Sequence, residues 1–312
     1  MRTLFVMDPL HRLNLAGDST YMLMREATDR GWPVWWCTPD DLYARAQTGF
    51  ARAQVVRTFA EPARFDTGDT ADHPLGDFDT IWMRKDPPFD MAYIFSTYLL
   101  GMAPPATRVW NRPSSLRSHN EKLYALSFPG LCPETLVARD PRRIVAFAES
   151  LPDRVVLKPW DGNGGRGVLV SQAGDPNLPA MIELLTGDGR HAILAQRYLP
   201  EIKQGDKRVL LVDGEVAGAM LRVPGERDHR GNLHVGASAS ASALTDRDRE
   251  ICAQIGPSLR ENGHLFVGID LIGAHCTEIN VTSPTGIQEI NRLDGVRIEA
   301  QVLDAMERRQ RS

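Results

Sequence analysis

The sequence predicts an α/β protein with an N-terminal parallel sheet covered by helices, followed by a second unit built on antiparallel hairpins. Apolar runs that alternate with a helical pattern predict the first part, because this order gives parallel sheets. Two pairs of apolar runs, each joined by a glycine-containing connection, predict the second part. With 312 residues, 42 % of them hydrophobic and 24 % charged, the composition is typical of one or two globular domains.

The N-terminal unit is predicted from short apolar runs and one stretch with helical spacing. The expected elements are a strand at residues 3–7, a helix at 19–30 and further strands at 32–37 and 80–83. Ligands of parallel sheets bind at the carboxyl ends of the strands. Asp8 and residues 84–86 lie at such ends, so they either face a substrate or are solvated strand ends.

A second unit is expected to start near residue 118. Residues 108–117 predict a strand and a turn, and Ser118 is placed to cap a helix with Glu121 at the reciprocal position. Lys122 then lies in the first helical turn, where the helix dipole disfavours a cation unless an anion is near. A ligand phosphate would supply that anion, and a solvated lysine is the alternative.

A cluster of four glycines follows a strand expected at residues 155–160. The glycines are Gly162, Gly164, Gly165 and Gly167. Their spacing matches a dinucleotide fingerprint, but residues 168–171 read as a strand rather than a helix, which excludes that motif. The cluster is therefore predicted to be a hairpin loop with more glycine than a turn needs. Its backbone N–H groups and Lys158 would suit a nucleotide triphosphate, and a merely flexible tip is the alternative.

Two carboxylates are predicted to face each other on another hairpin. Its strands are expected at residues 265–272 and 277–281. A turn centred in the three-residue connection 273–275 places Asp270 opposite Glu278, and side-chain alternation places Asn280 on the same face as Glu278. Like charges in that position destabilise a sheet unless a cation lies between them. An all-oxygen ligand set favours Mg²⁺ bound together with substrate phosphates, and an exposed acidic pair is the alternative.

Charge and cysteine content exclude several classes of protein. The formal net charge is −4, so a basic surface for duplex nucleic acid is not expected. The four cysteines include no C-x-x-C pair, which argues against a zinc knuckle or a disulfide framework. No apolar run reaches the roughly 18 residues that cross a bilayer or forms a signal peptide. We therefore expect a cytoplasmic protein with small-molecule partners, no nucleic acid and no membrane.

Several segments together resemble bacterial glutathione synthetase, a member of the ATP-grasp ligase superfamily. The segments are MRKDPPFD at 83–90, NEKL at 120–123, LKPWDGNGGRGV at 157–168, GDKRVLLVDGE at 205–215, RGNL at 230–233 and EINVTSPTGI at 278–287. The resemblance runs almost from end to end. It implies a Rossmann-like, pre-ATP-grasp substrate domain at 1–121 and an ATP-grasp domain at 122–312. The ATP-grasp domain would comprise an ATP-lid subdomain at 122–199 and a C-terminal subdomain at 200–312.

The resemblance also implies roles for individual residues. ATP would be held by Lys122, Lys158, Gly162, Gly164, Gly165, Gly167, Gln196, Arg197, Tyr198, Leu199 and Asp206. The catalytic side chains would be Arg208, Arg222 and Lys158. Asp270, Glu278 and Asn280 would hold Mg²⁺, or Mn²⁺ in its place. The substrates would lie near Asp18, Arg84, Asp86, Arg230, Ser283 and Thr285.

The implied reaction joins γ-glutamylcysteine to glycine through an acyl phosphate made with ATP, which requires cations around the phosphates and exclusion of water. Residues 224–243 lack apolar periodicity and are predicted to be a mobile substrate loop. Their Ala/Ser-rich second half departs from the family pattern. A sibling ligase with a different acceptor amine or dipeptide donor is therefore one alternative, and a non-catalytic nucleotide-binding protein is another. A homo-oligomer, such as the tetramer common in the family, is also implied.

Overall fold

The computed structural model of the chain describes residues 1–60, 63–225 and 238–311. A seven-stranded sheet forms the N-terminal part, with spatial order β3-β4-β2-β1-β6-β7 and β5 paired to β4. Its strands are β1 Thr3–Met7, β2 Val34–Cys37, β3 Leu42–Arg45, β4 Thr48–Ala60, β5 Ala63–Pro74, β6 Thr80–Arg84 and β7 Arg108–Trp110. The pairs β1–β2, β1–β6 and β6–β7 are parallel, as the strand–helix–strand order predicts.

Two smaller antiparallel sheets follow. The four-stranded sheet has the order β10-β9-β11-β8 and the five-stranded sheet the order β14-β13-β12-β15-β16. The strands of the first are β8 Thr135–Ala138, β9 Arg154–Pro159, β10 Leu169–Gln172 and β11 Ile193–Arg197. Those of the second are β12 Asp206–Val212, β13 Glu215–Val223, β14 Ser238–Ala241, β15 Phe266–Ile272 and β16 His275–Asn280.

Helices cover the sheets and lie between them. They are α1 Ser19–Asp29, α2 Met91–Leu100, α3 Pro113–Ser118, α4 Glu121–Ala125, α5 Pro141–Ser150, α6 Leu178–Thr186, α7 Asp246–Glu261, α8 Ile287–Asp294 and α9 Ile298–Arg311. Within the described ranges, none of the helices combines the length and the apolar character needed to cross a membrane.

The apolar core has separate parts. One cluster contains only residues of the four-stranded sheet and its helices, such as Ile144, Leu157 and Ile182. Another joins the N-terminal sheet to the five-stranded sheet, since Leu4 and Val267 belong to the same buried cluster. The four-stranded sheet therefore has its own core, whereas the other two sheets pack together.

The junction near residue 118 differs from the prediction. Residues 113–118 form α3 instead of a turn, and Ser118 is its last residue. Asn120 is the N-cap of α4, where its side-chain oxygen accepts hydrogen bonds from the backbone N–H groups of Lys122 and Leu123 at 3.1 and 3.2 Å. Ser118 as the cap was wrong because Pro113 starts a helix one turn earlier. The position of Lys122 in the first turn of α4 is confirmed.

Three strands, β4, β5 and β14, lie in segments for which no strand was predicted. The long β4–β5 hairpin lacked an apolar signal because β5 is a mostly polar edge strand held by its pairing with β4. In the predicted loop 224–243, residues 238–241 form β14, which pairs antiparallel with β13 from Val223 to Met220. The Ala/Ser-rich stretch is therefore partly an edge strand, while residues 226–237 lie outside the described residues.

The acidic hairpin has the predicted facing pair but a different turn. Asp270 pairs with Glu278, as predicted, whereas Ile272 pairs with His275. The connection is therefore Gly273-Ala274, two residues instead of three. A register shift after Asp270 places one extra residue in β16 and restores the facing of the two carboxylates.

Candidate active site

A cleft lies between the four-stranded and five-stranded sheets. Its empty volume is about 850 Å³, including the part that is open to solvent. The predicted site residues that line it are Lys122, Lys158, Gly162, Gly165, Gln196, Arg197, Tyr198, Leu199, Asp206, Asp270 and Glu278. The structure thus brings most of the predicted nucleotide and metal residues together.

Lys158 is a buried cation in this cleft. Its ammonium group donates a hydrogen bond to Gln196 Oε1 at 2.8 Å, and Gln196 Nε2 donates to Thr135 Oγ1 at 2.8 Å. Burial lowers the pKa of Lys158, while the nearby carboxylate of Glu278 opposes the shift. Gln196 therefore holds the lysine in place, and an anionic ligand would restore the charge that burial disfavours.

Lys122 lies at the other side of the same space. It donates a hydrogen bond to the carbonyl oxygen of Gly162, and its Nζ lies 3.3 Å from Glu278 Oε1. The helix that carries Lys122 thus contacts both the glycine loop and the acidic hairpin. A ligand that binds between these elements would therefore contact the Lys122 ammonium group.

The glycine cluster connects β9 to β10, which pair as a hairpin, so the predicted hairpin loop is confirmed. Gly164, Gly165 and Gly167 have φ values of +60°, +73° and +71°, a region that L side chains rarely adopt. A Cβ on Gly162 would lie 2.6 Å from Pro159 Cγ. The loop therefore needs its glycines for backbone conformation and close packing.

The charged side chains form a row across the five-stranded sheet. Arg208 on β12 is the cross-strand neighbour of Asp270 on β15, which is the neighbour of Glu278 on β16. Arg208 donates from Nε and Nη2 to the two carboxylate oxygens of Asp270 at 2.5 and 2.9 Å. Such side chains on one face lie within contact distance. The alternating pattern of the strands thus assembles this row.

Arg222 on β13 extends the network. It donates to both carboxylate oxygens of Asp206 at 2.8 and 2.5 Å and lies 3.0 Å from Asp270 Oδ1. Burial alone would raise the pKa of Asp270, but Arg208 and Arg222 together hold it well below its usual range. Burial raises the pKa of Asp206 despite its pairing with Arg222. Asp270 is therefore a carboxylate shared by two buried guanidinium groups.

The donor set fits a hard divalent cation. Asp270 and Glu278 supply carboxylate oxygens, and Asn280 Nδ2 donates to Asp270 Oδ2 at 3.2 Å, which leaves the amide oxygen of Asn280 available. Among the described residues, no three His, Cys, Asp or Glu side chains cluster as a metal site. A cation here would accordingly need ligands from a bound phosphate as well.

The predicted substrate residues that the structure describes lie outside the cleft lining, at the junction of the N-terminal and five-stranded sheets. The Arg84 guanidinium donates to the Pro284 carbonyl at 2.9 Å, between Ser283 and Thr285. Arg208 Nη1 donates to the Thr285 carbonyl at 3.1 Å. Arg84 thus links the N-terminal sheet to a loop that also contacts the charged row.

Two more predicted substrate residues lie near Arg84. Asp18 caps α1 through a hydrogen bond from the Tyr21 backbone at 2.6 Å, and burial raises its pKa, with Arg84 and Asp86 as charged neighbours. The Asp86 backbone N–H donates to Asp8 Oδ2 at 2.9 Å. The predicted residue Arg230 lies outside the described residues.

Sequence reasoning missed two parts of this region. The apolar wall of the cleft includes Val156, Val168 and Val170, which alternation from Lys158 along the hairpin could have indicated. Glu121 is a buried carboxylate whose Oε1 accepts hydrogen bonds from the backbone N–H and hydroxyl of Thr282 at 3.2 and 2.6 Å. The sequence pointed to Glu121 only as the reciprocal residue of a capping box, and its contact with Thr282 could not be predicted because the two residues lie 161 positions apart.

Comparison with known families gives matches over nearly the whole chain. The model of the prokaryotic glutathione synthetase N-terminal domain matches residues 1–117. The model of the prokaryotic glutathione synthetase ATP-grasp domain matches residues 121–295.

Curated relatives and solved structures agree with these matches. The chain is 48 % identical to glutathione synthetase of Pseudomonas syringae pv. tomato over 307 residues, covering 97 % of this chain and 96 % of the relative. It is 45 % identical to glutathione synthetase of Brucella melitensis over 312 residues, covering 97 % of each.

Among solved structures, D-cycloserine synthetase DcsG matches with a TM-score of 0.67 at 16 % identity, covering 98 % of this chain and 99 % of that one. An ATP-grasp RimK domain protein from Sphaerobacter thermophilus matches with a TM-score of 0.64, also at 16 % identity and with the same coverage. At this identity the structures show the fold alone, whereas the curated relatives and the family models show the family. The chain belongs to the prokaryotic glutathione synthetase family of ATP-grasp ligases.

Proposed function

We propose that the chain joins γ-glutamylcysteine to glycine with ATP, giving glutathione, ADP and phosphate. The observation that carries the proposal is the single cleft in which Lys122 and Lys158 face Asp270 and Glu278. Curated relatives that share 45–48 % of the sequence over nearly their whole length carry the name of this activity. That similarity does not favour the alternative of a sibling ligase with another acceptor or donor.

The reaction has two steps. An oxygen of the dipeptide carboxylate attacks the γ-phosphorus of ATP, which gives an acyl phosphate and ADP. The glycine amine then attacks the acyl carbon, phosphate leaves, and the nitrogen loses a proton to form the amide. Charge neutralisation dominates phosphoryl transfer. Lys158, Arg208 and Arg222 would supply it once the substrate anions replace Asp270 as partners of the arginines.

The remaining nucleotide residues bind and enclose ATP. The adenine would lie against residues 196–199, the ribose near Asp206, and the phosphates between Lys122 and Lys158. The glycine loop 162–167 would close over the phosphates and exclude water, which protects the acyl phosphate from hydrolysis. Support comes from the shared cleft lining and the positive φ values of Gly164, Gly165 and Gly167.

A divalent cation completes this site. Asp270, Glu278 and Asn280 would hold it through their oxygen atoms. When bound, it neutralises charge on the ATP phosphates. Mg²⁺ is the proposed ion because oxygen-only ligands with substrate phosphates suit it, and Mn²⁺ shares this preference.

Further assignments are proposals on the same basis. The dipeptide and glycine would bind near Asp18, Arg84, Asp86, Ser283 and Thr285, where the N-terminal sheet contacts the charged row. The domain division would be 1–121, 122–199 and 200–312. The separate core of the four-stranded sheet supports the middle unit. A cytoplasmic location and a homo-oligomer of up to four copies complete the proposal.

Phosphate release measured with purified protein tests the activity. Release is expected only when ATP, Mg²⁺, γ-glutamylcysteine and glycine are all present, and mass spectrometry should identify glutathione. Replacing Mg²⁺ by Mn²⁺ in the same assay compares the two ions. Phosphate release without glycine, or a different product from a panel of dipeptides and amines, would contradict the proposed substrates.

A further inference from the structure

Glu121 is a buried carboxylate that has no role in the proposed reaction. It is the first residue of α4 and is only 9 % exposed. Its Oε1 atom accepts two hydrogen bonds from Thr282, one from the backbone N–H at 3.2 Å and one from the hydroxyl at 2.6 Å. Burying a carboxylate is costly unless hydrogen bonds compensate it. The two bonds therefore tie α4 firmly to the segment that contains Thr282.

The α4 end of this contact belongs to the nucleotide side of the cleft. Lys122 follows Glu121 in the chain, and its Nζ lies 3.3 Å from Glu278 Oε1. Asn120 caps the helix and donates from Nδ2 to the Trp160 carbonyl at 3.1 Å, just before the glycine loop. Because α4 has these contacts of its own, loss of the Glu121 side chain should leave Lys122 in place.

The other end of the contact is the segment 282–285, which follows β16 and contains two of the proposed substrate residues. Its carbonyl groups at positions 284 and 285 accept hydrogen bonds from Arg84 and Arg208. Both arginines are themselves proposed to face the substrates, so their hold on the segment can change when substrates bind. The contact between Glu121 and Thr282 has no such second task, and it anchors the segment with or without substrate.

The placement of this segment matters for affinity. A binding site has to be held within about 0.5 Å of its productive geometry, and this depends on the residues behind those that touch the ligand. A buried hydrogen-bonding group that loses its partner costs free energy. If either member of the contact is removed, the segment therefore leaves its binding conformation for part of the time. The apparent affinity then falls in proportion to the fraction of molecules that remain competent.

We propose that Glu121 is a positioning residue, which holds the segment 282–285 in the conformation that binds the dipeptide. The proposal rests on the proposed function, because it assigns Glu121 to the binding site of that substrate. Glu121 acts through the two hydrogen bonds from Thr282 and does not itself touch the dipeptide. Nucleotide binding is separate, since Lys122 keeps its own contacts.

Steady-state kinetics of Glu121→Ala and Thr282→Val test this role. Each variant removes a buried hydrogen bond to a charged group, which is worth about a factor of ten or more. KM for γ-glutamylcysteine should therefore rise at least about 10-fold, while KM for ATP should stay close to that of wild type. The conservative variants Glu121→Gln and Thr282→Ser keep the accepting oxygen and the hydroxyl, so both should restore a KM near that of wild type.

Glu299→Ala is the matched control. It removes another buried carboxylate, which accepts a hydrogen bond from Asn291 Nδ2 at 2.6 Å and lies outside the cleft lining. The control should lower Tm, as Glu121→Ala does, but leave KM for γ-glutamylcysteine unchanged.

Three results would overturn the proposal: an unchanged KM for γ-glutamylcysteine in Glu121→Ala, an equal rise in KM for ATP, or no rescue by Glu121→Gln. A wild-type protein that forms a different product would instead contradict the proposed function. In that case the same comparison, made with KM for the carboxylate substrate that the protein does use, decides whether Glu121 is a positioning residue.

Discussion

Asp270→Asn is expected to destabilise the ligand-free protein much more than Glu278→Gln, although the two carboxylates face each other on one hairpin. The Asp270 side chain is only 7 % exposed and contacts Arg208 at 2.5 Å and Arg222 at 3.0 Å. Removing one partner of a buried ion pair costs about 3–5 kcal/mol, because the remaining charge stays buried without compensation. Asp270→Asn removes the only carboxylate that Arg208 contacts in the described structure.

Glu278 has a different environment. Its side chain is 26 % exposed and, within the described ranges, makes one ion pair, with Lys122 at 3.3 Å. Lys122 itself is only 6 % exposed, but it keeps its hydrogen bond to the Gly162 carbonyl. A glutamine side chain also still offers an acceptor oxygen, so the loss should stay near the roughly 0–1 kcal/mol of solvent-exposed pairs. Glu278→Gln should therefore leave the free energy of unfolding nearly unchanged while removing a proposed metal ligand. Comparing the two variants therefore separates the contribution of the hairpin to stability from its contribution to activity.

Thermal unfolding by circular dichroism, in EDTA and without nucleotide, measures the difference. At about 2 °C per kcal/mol, Asp270→Asn should lower Tm by roughly 6–10 °C and Glu278→Gln by less than about 2 °C. Phosphate release should fall in both. Equal losses of Tm in the two variants, or an unchanged Tm for Asp270→Asn, would refute the view that this carboxylate holds the charged row together.

Two further predictions concern the nucleotide side of the cleft. Gly164→Ala should weaken ADP binding measured by calorimetry, whereas Gly130→Ala should not. Both glycines have positive φ and open space around the Cβ position. Replacing either one by alanine should therefore cost the folded protein about the same backbone free energy, about 1 kcal/mol. Equal ADP affinity in the two variants would contradict the assignment of the glycine loop to phosphate binding. Because burial lowers the pKa of Lys158 below the usual 10.5, its charge is lost at a lower pH than in an ordinary lysine. ADP affinity should therefore fall as pH rises through the lowered pKa towards 10.5, and Lys158→Met should bind ADP weakly with a flatter pH profile. A wild-type profile as flat as that of Lys158→Met would exclude the lysine from phosphate binding.

The facing of Asp270 and Glu278 could be predicted from the sequence because strand alternation and a short turn leave few registers. The prediction of the turn itself was wrong, and the register is the same only because of the shift after Asp270. The pairing of these two carboxylates with Arg208 and Lys122 could not be predicted from spacing, since it depends on which strands are neighbours in the sheet and how α4 packs on β16.

Elements without an apolar signal could not be predicted. Strand β14 is a run of small residues that is ordered by hydrogen bonding to β13, and β5 is ordered in the same way by β4. Pro113 could have indicated a helix start, but a six-residue helix gives too short a pattern to show periodicity. Tertiary pairing determines the structure of these segments, while the apolar pattern determines that of the core strands.

The charges around the cleft explain why nucleotide and metal should bind together. Besides Arg166, and Arg197 with its partner Glu134, the cleft brings together a set of four cations and three carboxylates: Lys122, Lys158, Arg208, Arg222, Asp206, Asp270 and Glu278. The set is therefore nearly balanced without a ligand, and both oxygens of Asp270 are already hydrogen-bonded. A metal ion alone must compete with two guanidinium groups for that carboxylate. The polyphosphate of ATP offers those guanidinium groups new partners and adds negative charge that the metal offsets, so each ligand should strengthen the binding of the other.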